Sequence, residues 1–158
     1  MRYLFNRPDR VAVGAIGEVG ERLFLLQFRQ DKRLVVAKCE KQQLAVFAQW
    51  VSDVFDDLGR PGHLPEDLDL EPEYEIDLTL GEISIGLDDD RRVHVVAASA
   101  DEQDELDVTL SREWAGALAI AITRLIEAGR PPCPLCGFPL DARGHDCPRT
   151  NGNVPPRR

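Results

Sequence analysis

Short apolar runs alternate with turn residues in the first part of the chain and then give way to a helical spacing. Residues 11–16, 23–28 and 34–37 are such runs, and glycine-containing or polar turns separate them. This pattern predicts three strands joined by hairpins. From Glu40 the apolar residues recur every three or four positions until the sequence Gly-Arg-Pro-Gly at 59–62, which predicts an amphipathic helix.

The same order of elements recurs further along the chain. Residues 76–87, 94–98 and 106–110 have the composition of strands, with three aspartates at 88–90 as a turn. Ser111 is a favourable N-cap and precedes an apolar stripe that ends at Gly129, so a second helix is predicted. The two halves match at an offset of about 72 residues, from Leu34 to Leu106.

These elements predict an α+β fold made of two βββα units, at about 10–59 and 76–129. Because a unit of this size does not bury a sheet face and a helix stripe by itself, we expect the two units to share a core. The predicted arrangement is an antiparallel sheet sandwich with two helices, as one domain over residues 1–129. Chance similarity between two α+β halves is the alternative to duplication, since the match is in element order and not in residue identity.

Four metal-binding side chains are concentrated near the end of the sequence. Cys133 and Cys136 form a Cys-Pro-Leu-Cys-Gly motif, and His145 and Cys147 follow after eight intervening residues. Thiolate sulfur and neutral imidazole suit Zn²⁺, and four protein ligands leave no open position for water. We therefore predict a zinc knuckle over residues 130–150 with a structural Zn²⁺, and a tail at 151–158 that is disordered in free solution.

Two other interpretations of the cysteine motif are open. A redox pair would place its Cys-x-x-Cys at the start of a helix in a βαβ unit, whereas here two prolines precede the motif and a glycine follows it. A catalytic zinc would exchange one ligand for water, and no partnered general base stands nearby in the sequence. Both features favour the structural zinc.

Charge is distributed unevenly along the sequence. The formal net charge is −9, and residues 130–158 contain five arginines against two aspartates, +3, so residues 1–129 carry −12. A body this acidic disfavours direct nucleic-acid binding, which needs a broad basic face. No apolar run approaches the roughly 20 residues of a membrane-spanning helix, and the opening residues lack the apolar stretch of a secretory signal. With three of four cysteines in the metal motif, we expect a cytoplasmic protein that does not bind a membrane.

Cys39 and a glycine series are two weaker candidates for chemistry. Cys39 stands at the predicted start of the first helix between two lysines, where the helix dipole could activate a thiol, but no histidine is close in sequence and packing as a small apolar residue is favoured. Gly14, Gly17 and Gly20 have the spacing of a phosphate-binding loop. Because a strand and not a helix follows them, a hairpin turn is the better interpretation.

Histidines and acidic residues outside the tail form no recognisable site in the sequence. His63 and His94 have no carboxylate or serine at a spacing that indicates a triad, so we expect structural or solvated roles. The acidic stretch 66–77 lacks the spacing of a calcium loop. We interpret it as a solvated linker, with a surface for a basic partner as the alternative.

Several segments together resemble a known family. They are residues 5–10, the stretch 14–22 with the apolar run after it, the polar turn at 40–43, and the closing segments 130–137 and 144–152. In these segments the sequence is similar to a family of conserved actinobacterial proteins of unknown function. The resemblance covers nearly the whole chain, agrees with the zinc interpretation, and implies no assigned activity.

Two hypotheses for function follow from these observations. The first is a cytoplasmic accessory or protein-interaction protein with a structural zinc and no catalytic residue, because no acid, base and nucleophile cluster outside the metal motif. The second is an enzyme or binding domain for a phosphorylated small molecule, with Arg10, Arg22 and Lys41 as anion contacts. The second hypothesis requires these three side chains to share a pocket.

Overall fold

The protein is described by a computed structural model over residues 1–18 and 20–128, and within them it has seven strands and two helices. The strands are β1 (Arg2–Phe5), β2 (Arg10–Ile16), β3 (Leu23–Gln30), β4 (Arg33–Cys39), β5 (Leu78–Leu87), β6 (Val93–Ser99) and β7 (Glu105–Leu110), and the helices are α1 (Lys41–Leu58) and α2 (Arg112–Ala128). The predicted α+β class and the order of two βββα units match this succession. Strand β1 was not predicted.

The strands form one mixed sheet in the order β1-β7-β6-β5-β4-β3-β2. The prediction of a purely antiparallel sheet is wrong, because β1 pairs with β7 in parallel and β4 pairs with β5 in parallel. The parallel β4–β5 pair arises because α1 carries the chain back across the sheet before β5 begins. It is short, with Ala37 opposite Leu78 and Lys38 opposite Thr79. The sandwich arrangement stays a prediction.

The core lies between one face of the sheet and the two helices. Alternate strand residues such as Val11 and Val13 enter it, and so does the apolar stripe of each helix. The buried helix residues are Leu44, Phe47, Val51 and Phe55 of α1 and Ala115, Gly116, Ala117, Leu118, Ala119 and Ile122 of α2. Both halves of the chain therefore contribute to a single core, as predicted.

Side chains at the start of each helix fix its position. The Trp114 backbone N–H donates to Ser111 Oγ at 3.2 Å, which confirms Ser111 as the predicted cap. In α1, Gln43 Oε1 accepts from the Glu40 backbone N–H at 2.8 Å, while Gln43 Nε2 donates to the Gly81 carbonyl at 2.7 Å. Gln43 thus fixes the start of α1 against β5.

The connector between α1 and β5, residues 59–77, first packs against α2 through Pro61 and Leu64. It then crosses the first half-sheet, β2–β4, on the face that points away from the helices. The Leu68 carbonyl accepts from the Val13 N–H at 3.0 Å on the outer edge of β2. Glu71 then pairs with Arg29 through contacts of 2.7 to 3.1 Å, and its backbone N–H donates to Gln27 Oε1 at 2.6 Å. The interpretation of 66–77 as a solvated linker is wrong for this part, because the connector is bonded to the sheet.

The glycines of the β2–β3 hairpin behave as turn residues. Gly17 and Gly20 have φ values of 94° and 92°, a region that glycine adopts without steric cost. The hairpin interpretation is therefore confirmed for Gly17 and Gly20, whereas Gly14 lies within β2 opposite Leu25. Within the described residues, neither helix has the length and apolar character needed to cross a bilayer.

Candidate functional site

The second half-sheet carries a nearly buried carboxylate on the side away from the helices. We call this side of β1, β7, β6 and β5 the open face. Asp107 of β7 is only 7% exposed there. Its Oδ2 accepts a hydrogen bond from Arg2 Nη2 at 2.7 Å, and its Oδ1 lies 2.8 Å from His94 Nε2. The three side chains come from β1, β7 and β6, which are adjacent strands.

Arg2 and His94 keep Asp107 ionised. Burial raises the pKa of the Asp107 carboxyl, but the hydrogen bonds and charges of Arg2 and His94 together outweigh it, so the net pKa is lowered. The hydrogen bond and charge of Asp107 in turn raise the pKa of the Arg2 guanidinium. Because an ionised carboxylate only accepts, His94 Nε2 donates to it. The cluster therefore fixes the Arg2 guanidinium at a defined place on the open face, where the Asp107 carboxylate balances its charge.

A groove of about 630 Å³ lies beside Arg2 on the open face. The carboxylates that line it are Glu82, Glu102, Asp104 and Glu105. Against them stand Arg2 and the amino group of Met1, which lies 3.0 Å from Asp104. Ser84, Val96 and Ala98 also line the groove. Since carboxylates outnumber cations, the groove is suited to a cationic ligand.

His94 and Asp107 do not form part of an activated-nucleophile arrangement in the described part of the chain. There His94 has one side-chain hydrogen bond, to Asp107. Ser84 lies on the neighbouring strand and forms no hydrogen bond with His94. A base that activates a hydroxyl or thiol needs that bond. The geometry instead gives His94 and Asp107 a positioning role toward Arg2.

The three cations predicted to hold a phosphate are not brought together. Arg10 stands opposite Arg29 at one end of β2, whereas Arg22 precedes Leu23, which stands opposite Ile16 at the other end, about 20 Å away along the strand. Arg10 Nη2 bonds to Asp67 at 3.2 Å and to the Asp69 carbonyl at 2.6 Å. The shared pocket that the phosphate hypothesis requires is therefore missing among the described residues.

The other two cations also have separate surroundings. Arg22 Nη1 lies 3.4 Å from the Leu125 carbonyl, and its guanidinium lies 5.1 Å from the centre of the Phe24 ring. Lys41 is the first residue of α1 and is exposed. Lys41 thus lies toward the same end of the sheet as Arg22, because Cys39 stands opposite Phe24. Arg22 and Lys41 could therefore contact one ligand together, but Arg10 lies too far away to join them.

Cys39 is packed and not poised as a nucleophile. It is 4% exposed, and its Sγ lies 3.7 Å from the Phe24 carbonyl. Burial, with a smaller effect of Glu40, raises the pKa of the thiol to about 12. A thiol with so high a pKa supplies almost no thiolate near neutral pH. The interpretation of Cys39 as a small apolar residue is confirmed.

The predicted zinc ligands Cys133, Cys136, His145 and Cys147 lie outside the described residues, as do the knuckle at 130–150 and the tail at 151–158. Within residues 1–18 and 20–128 no group of three His, Cys, Asp or Glu side chains is placed to hold a metal ion. The donor set of three thiolates and one imidazole fits Zn²⁺ on chemical grounds. The metal site stays a prediction.

Sequence reasoning missed the pairing of His94 with Asp107, because the two residues lie on different strands and meet only through the register of the β6–β7 hairpin. A signal was nonetheless present. In both strands, apolar core residues alternate with residues on the opposite face of the sheet. His94 and Asp107 both lie on that opposite face. Residues on the same face of two antiparallel strands are close when they lie opposite or diagonally across from each other. A correct register for the β6–β7 hairpin would have placed His94 diagonally across from Asp107.

The fold and the site define an α+β protein of duplicated strand order with a charged, open sheet face. The chain belongs to the family described as "Protein of unknown function (DUF3090)", whose model matches residues 3–147. No curated protein and no solved structure matches the chain. Membership of this family confirms the resemblance to a family of unknown function, and the family description states no activity.

Proposed function

We propose that this chain is a cytoplasmic accessory protein that binds a basic segment of a protein partner on its open face and has a zinc knuckle of structural role at its C-terminal end. The observation that carries the proposal is the groove, which Glu82, Glu102, Asp104 and Glu105 line together with Arg2. A lysine- or arginine-rich segment complements such a surface.

Differences between the two half-sheets support this assignment. The outer face of the first half-sheet is covered by the connector, whose Glu71 is bonded to Arg29 and Gln27. The open face has no comparable cover among the described residues. In addition, the charge of −12 on residues 1–129 attracts basic partners and repels nucleic acid.

The proposal can be tested with a basic peptide as the probe. We expect an octalysine peptide to bind in isothermal titration, and to bind at least five-fold more weakly to a variant with Glu82→Gln and Glu102→Gln. The matched control carries Glu73→Gln and Glu75→Gln, which remove the same charge from exposed connector positions that form no ion pair in the described structure. The control should change the affinity by less than two-fold, and added salt should weaken binding.

Equal weakening by both pairs would show diffuse attraction to an acidic body and would refute a site in the groove. A thermal shift with phosphorylated metabolites and no peptide binding would favour the small-molecule hypothesis instead. Affinity capture from native cells then identifies the partner. We expect it to be recovered with the wild type and the control, and lost with the groove variant.

The zinc part of the proposal rests on the donor set of the tail. Cys133, Cys136, His145 and Cys147 would bind the ion with no open position, so the metal would contribute folding energy and no chemistry. The family match extends to Cys147 and so includes all four ligands. We expect one zinc per chain by elemental analysis and a loss of metal in a Cys136→Ser variant.

A chelator tests how the knuckle relates to the body. We expect chelation to increase hydrogen exchange in residues 130–150 and to leave β2–β4 and α1 unchanged. Global unfolding at low chelator concentration would show instead that the knuckle is part of the main core. Absence of bound metal in protein purified without chelator would overturn the zinc proposal.

A further inference from the structure

The two halves of the sheet are equivalent strand by strand. Strands β2, β3 and β4 correspond to β5, β6 and β7, and the parallel pair β4–β5 is repeated by the parallel pair β7–β1. Gly14 stands opposite Leu25, and Gly86 stands opposite His94, so the two glycines occupy equivalent positions on the outer face. Any segment that covers one half therefore has a counterpart position on the other half.

The connector covers the first half in three contacts. The Leu68 carbonyl bonds to the Val13 N–H on the edge of β2. Leu70 packs onto Gly14 so closely that a Cβ there would lie 2.6 Å from Leu70 Cδ1. Glu71 is bonded to Gln27. On its way the connector also passes α2 beside Ala117, which is 4% exposed.

The same positions on the second half are uncovered by the described residues. Pairing of β5 with β4 ends at Thr79, and a Cβ on Gly86 would meet no described atom within 4 Å. Val46 of α1 is the counterpart of Ala117, since each is the sixth residue of its helix, and Val46 is 56% exposed. A groove of about 340 Å³ runs between Val46 and the edge of β5 at Ile83 and Ile85.

Within residues 1–18 and 20–128, the backbone N–H of Ile85 on the edge of β5 has no hydrogen-bond partner. Val13 and Ile85 each immediately precede the equivalent glycine, and both side chains pack toward the core. In a strand, the side-chain face and strand direction together determine where the N–H points. The Ile85 N–H therefore points away from β6, as the Val13 N–H points away from β3. An extended segment beside β5 would pair with it as Leu68 pairs with β2.

The sequence after α2 repeats the sequence of the connector. Gly-Arg-Pro follows α1 at 59–61 and recurs after α2 at 129–131, which is an offset of 70 residues. At the same offset, Leu68-Asp69-Leu70-Glu71 corresponds to Phe138-Pro139-Leu140-Asp141. An apolar residue, a leucine and an acid thus recur at the positions that contact the edge of β2, Gly14 and Gln27 in the first half.

We propose that residues 129–141 dock across the second half-sheet as the connector docks across the first, with Phe138 beside the edge of β5 and Leu140 over Gly86. The occupant is this chain's own tail because its sequence starts at the end of α2 and repeats the connector. The docked segment buries the exposed Val46 and satisfies the Ile85 N–H.

The inference does not rest on the proposed partner or on the zinc, although the predicted ligands flank the segment that carries Leu140. In this register Val96 is the counterpart of Gln27, and Val96 lines the groove beside Arg2. A docked tail and a basic partner would therefore compete for that part of the open face.

Hydrogen exchange of the full chain tests the docking. We expect the amides of Ile83, Ile85 and Leu87 to be protected in the wild type, and protection at Ile85 to fall at least ten-fold in a Leu140→Asp variant. The matched control is Val154→Asp, the same change of residue class outside the repeated segment, and it should leave this protection unchanged. Exchange in β2 should be the same in all three proteins.

Gly86→Ala supplies a second, independent readout. If Leu140 packs onto Gly86 as Leu70 packs onto Gly14, the added methyl group displaces it, so exchange at Ile85 should rise at least ten-fold in this variant too. Equal exchange at Ile85 in the wild type, Leu140→Asp and Gly86→Ala would overturn the proposal. Protection that depends on protein concentration would also overturn it, because a second copy would then be the occupant. Zinc content measured on the same samples separates this result from failure of the metal site.

Discussion

Replacing Asp107 by Asn tests the electrostatic centre of the open face. Asn has nearly the same shape, so the substitution leaves no cavity and removes only the charge and one acceptor. The asparagine oxygen can accept from Arg2 or from His94, while its NH₂ group then faces a second donor. The wild-type carboxylate accepts from both, at 2.7 and 2.8 Å.

The size of the effect follows from the exposure of the partners. Hydrogen bonds to charged groups contribute about 1.5–3 kcal/mol each. The side chains of Arg2 and His94 are 59% and 40% exposed, so water can solvate both once the carboxylate is lost. We therefore expect Asp107→Asn to lower the free energy of unfolding by about 1–2 kcal/mol, well below the sum of two such bonds.

Urea unfolding followed by tryptophan fluorescence measures this loss. The matched control is Glu105→Gln on the same strand, whose carboxylate lies 3.6 Å from Arg2 and is 47% exposed. It should change the free energy of unfolding by less than about 0.5 kcal/mol. An equal loss in both variants, or a loss below about 0.5 kcal/mol for Asp107→Asn, would refute the reasoning that the buried carboxylate organises the face.

Three further predictions concern the rest of the body. Gln27 is 1% exposed and forms hydrogen bonds with the backbone N–H and carbonyl of Glu71. Gln27→Ala should therefore lower the free energy of urea unfolding by about 2 kcal/mol and raise hydrogen exchange in the connector. The control Gln49→Ala, at an exposed position of α1, should lower it by less than about 0.5 kcal/mol. Peptide-mapped thiol labelling should find Cys39 far slower than a model thiol at neutral pH, because burial raises its pKa to about 12; labelling at the model rate would contradict the packing. The hydrogen bond from Arg29 lowers the pKa of Glu71. The contribution of this pair to the free energy of unfolding is therefore complete above the ordinary pKa of 4.5 and is lost as the pH falls through the lowered folded value. Urea midpoints should fall less steeply between about pH 5 and 3 in Arg29→Gln than in the wild type, and an unchanged slope would contradict the pair.

The regular elements could be predicted from the sequence because each carries its own local signal. The β2–β3 hairpin has apolar runs with glycines between them, and the start of α2 has a serine cap. Strand β1 has no such signal. Its four residues become a strand only through pairing with β7, which lies about 100 residues away. The two parallel pairs were missed for the same reason, since the direction of a neighbouring strand is set by long-range packing.

The site could be predicted only in part, because its residues meet through the register of the sheet. The acidic character of the body was visible in composition, but the groove depends on Glu82, Glu102 and Arg2 coming from separate strands and turns. Similar reasoning explains the failure of the phosphate hypothesis. Arg10 and Arg22 are close in sequence, yet a strand extends the chain by about 3.3 Å per residue, so they lie at opposite ends of β2.

Titration of isotopically labelled protein with the octalysine peptide tests the basic-segment site directly, because amide chemical shifts show where a basic segment binds. We expect the largest saturable shifts to fall on residues 82–84, 96–98 and 102–105 of the open face. We also expect these shifts to weaken in the Glu82→Gln, Glu102→Gln variant. Largest shifts on the acidic connector at 66–77 or on the helices would contradict a site in the groove, since the basic segment would then bind elsewhere.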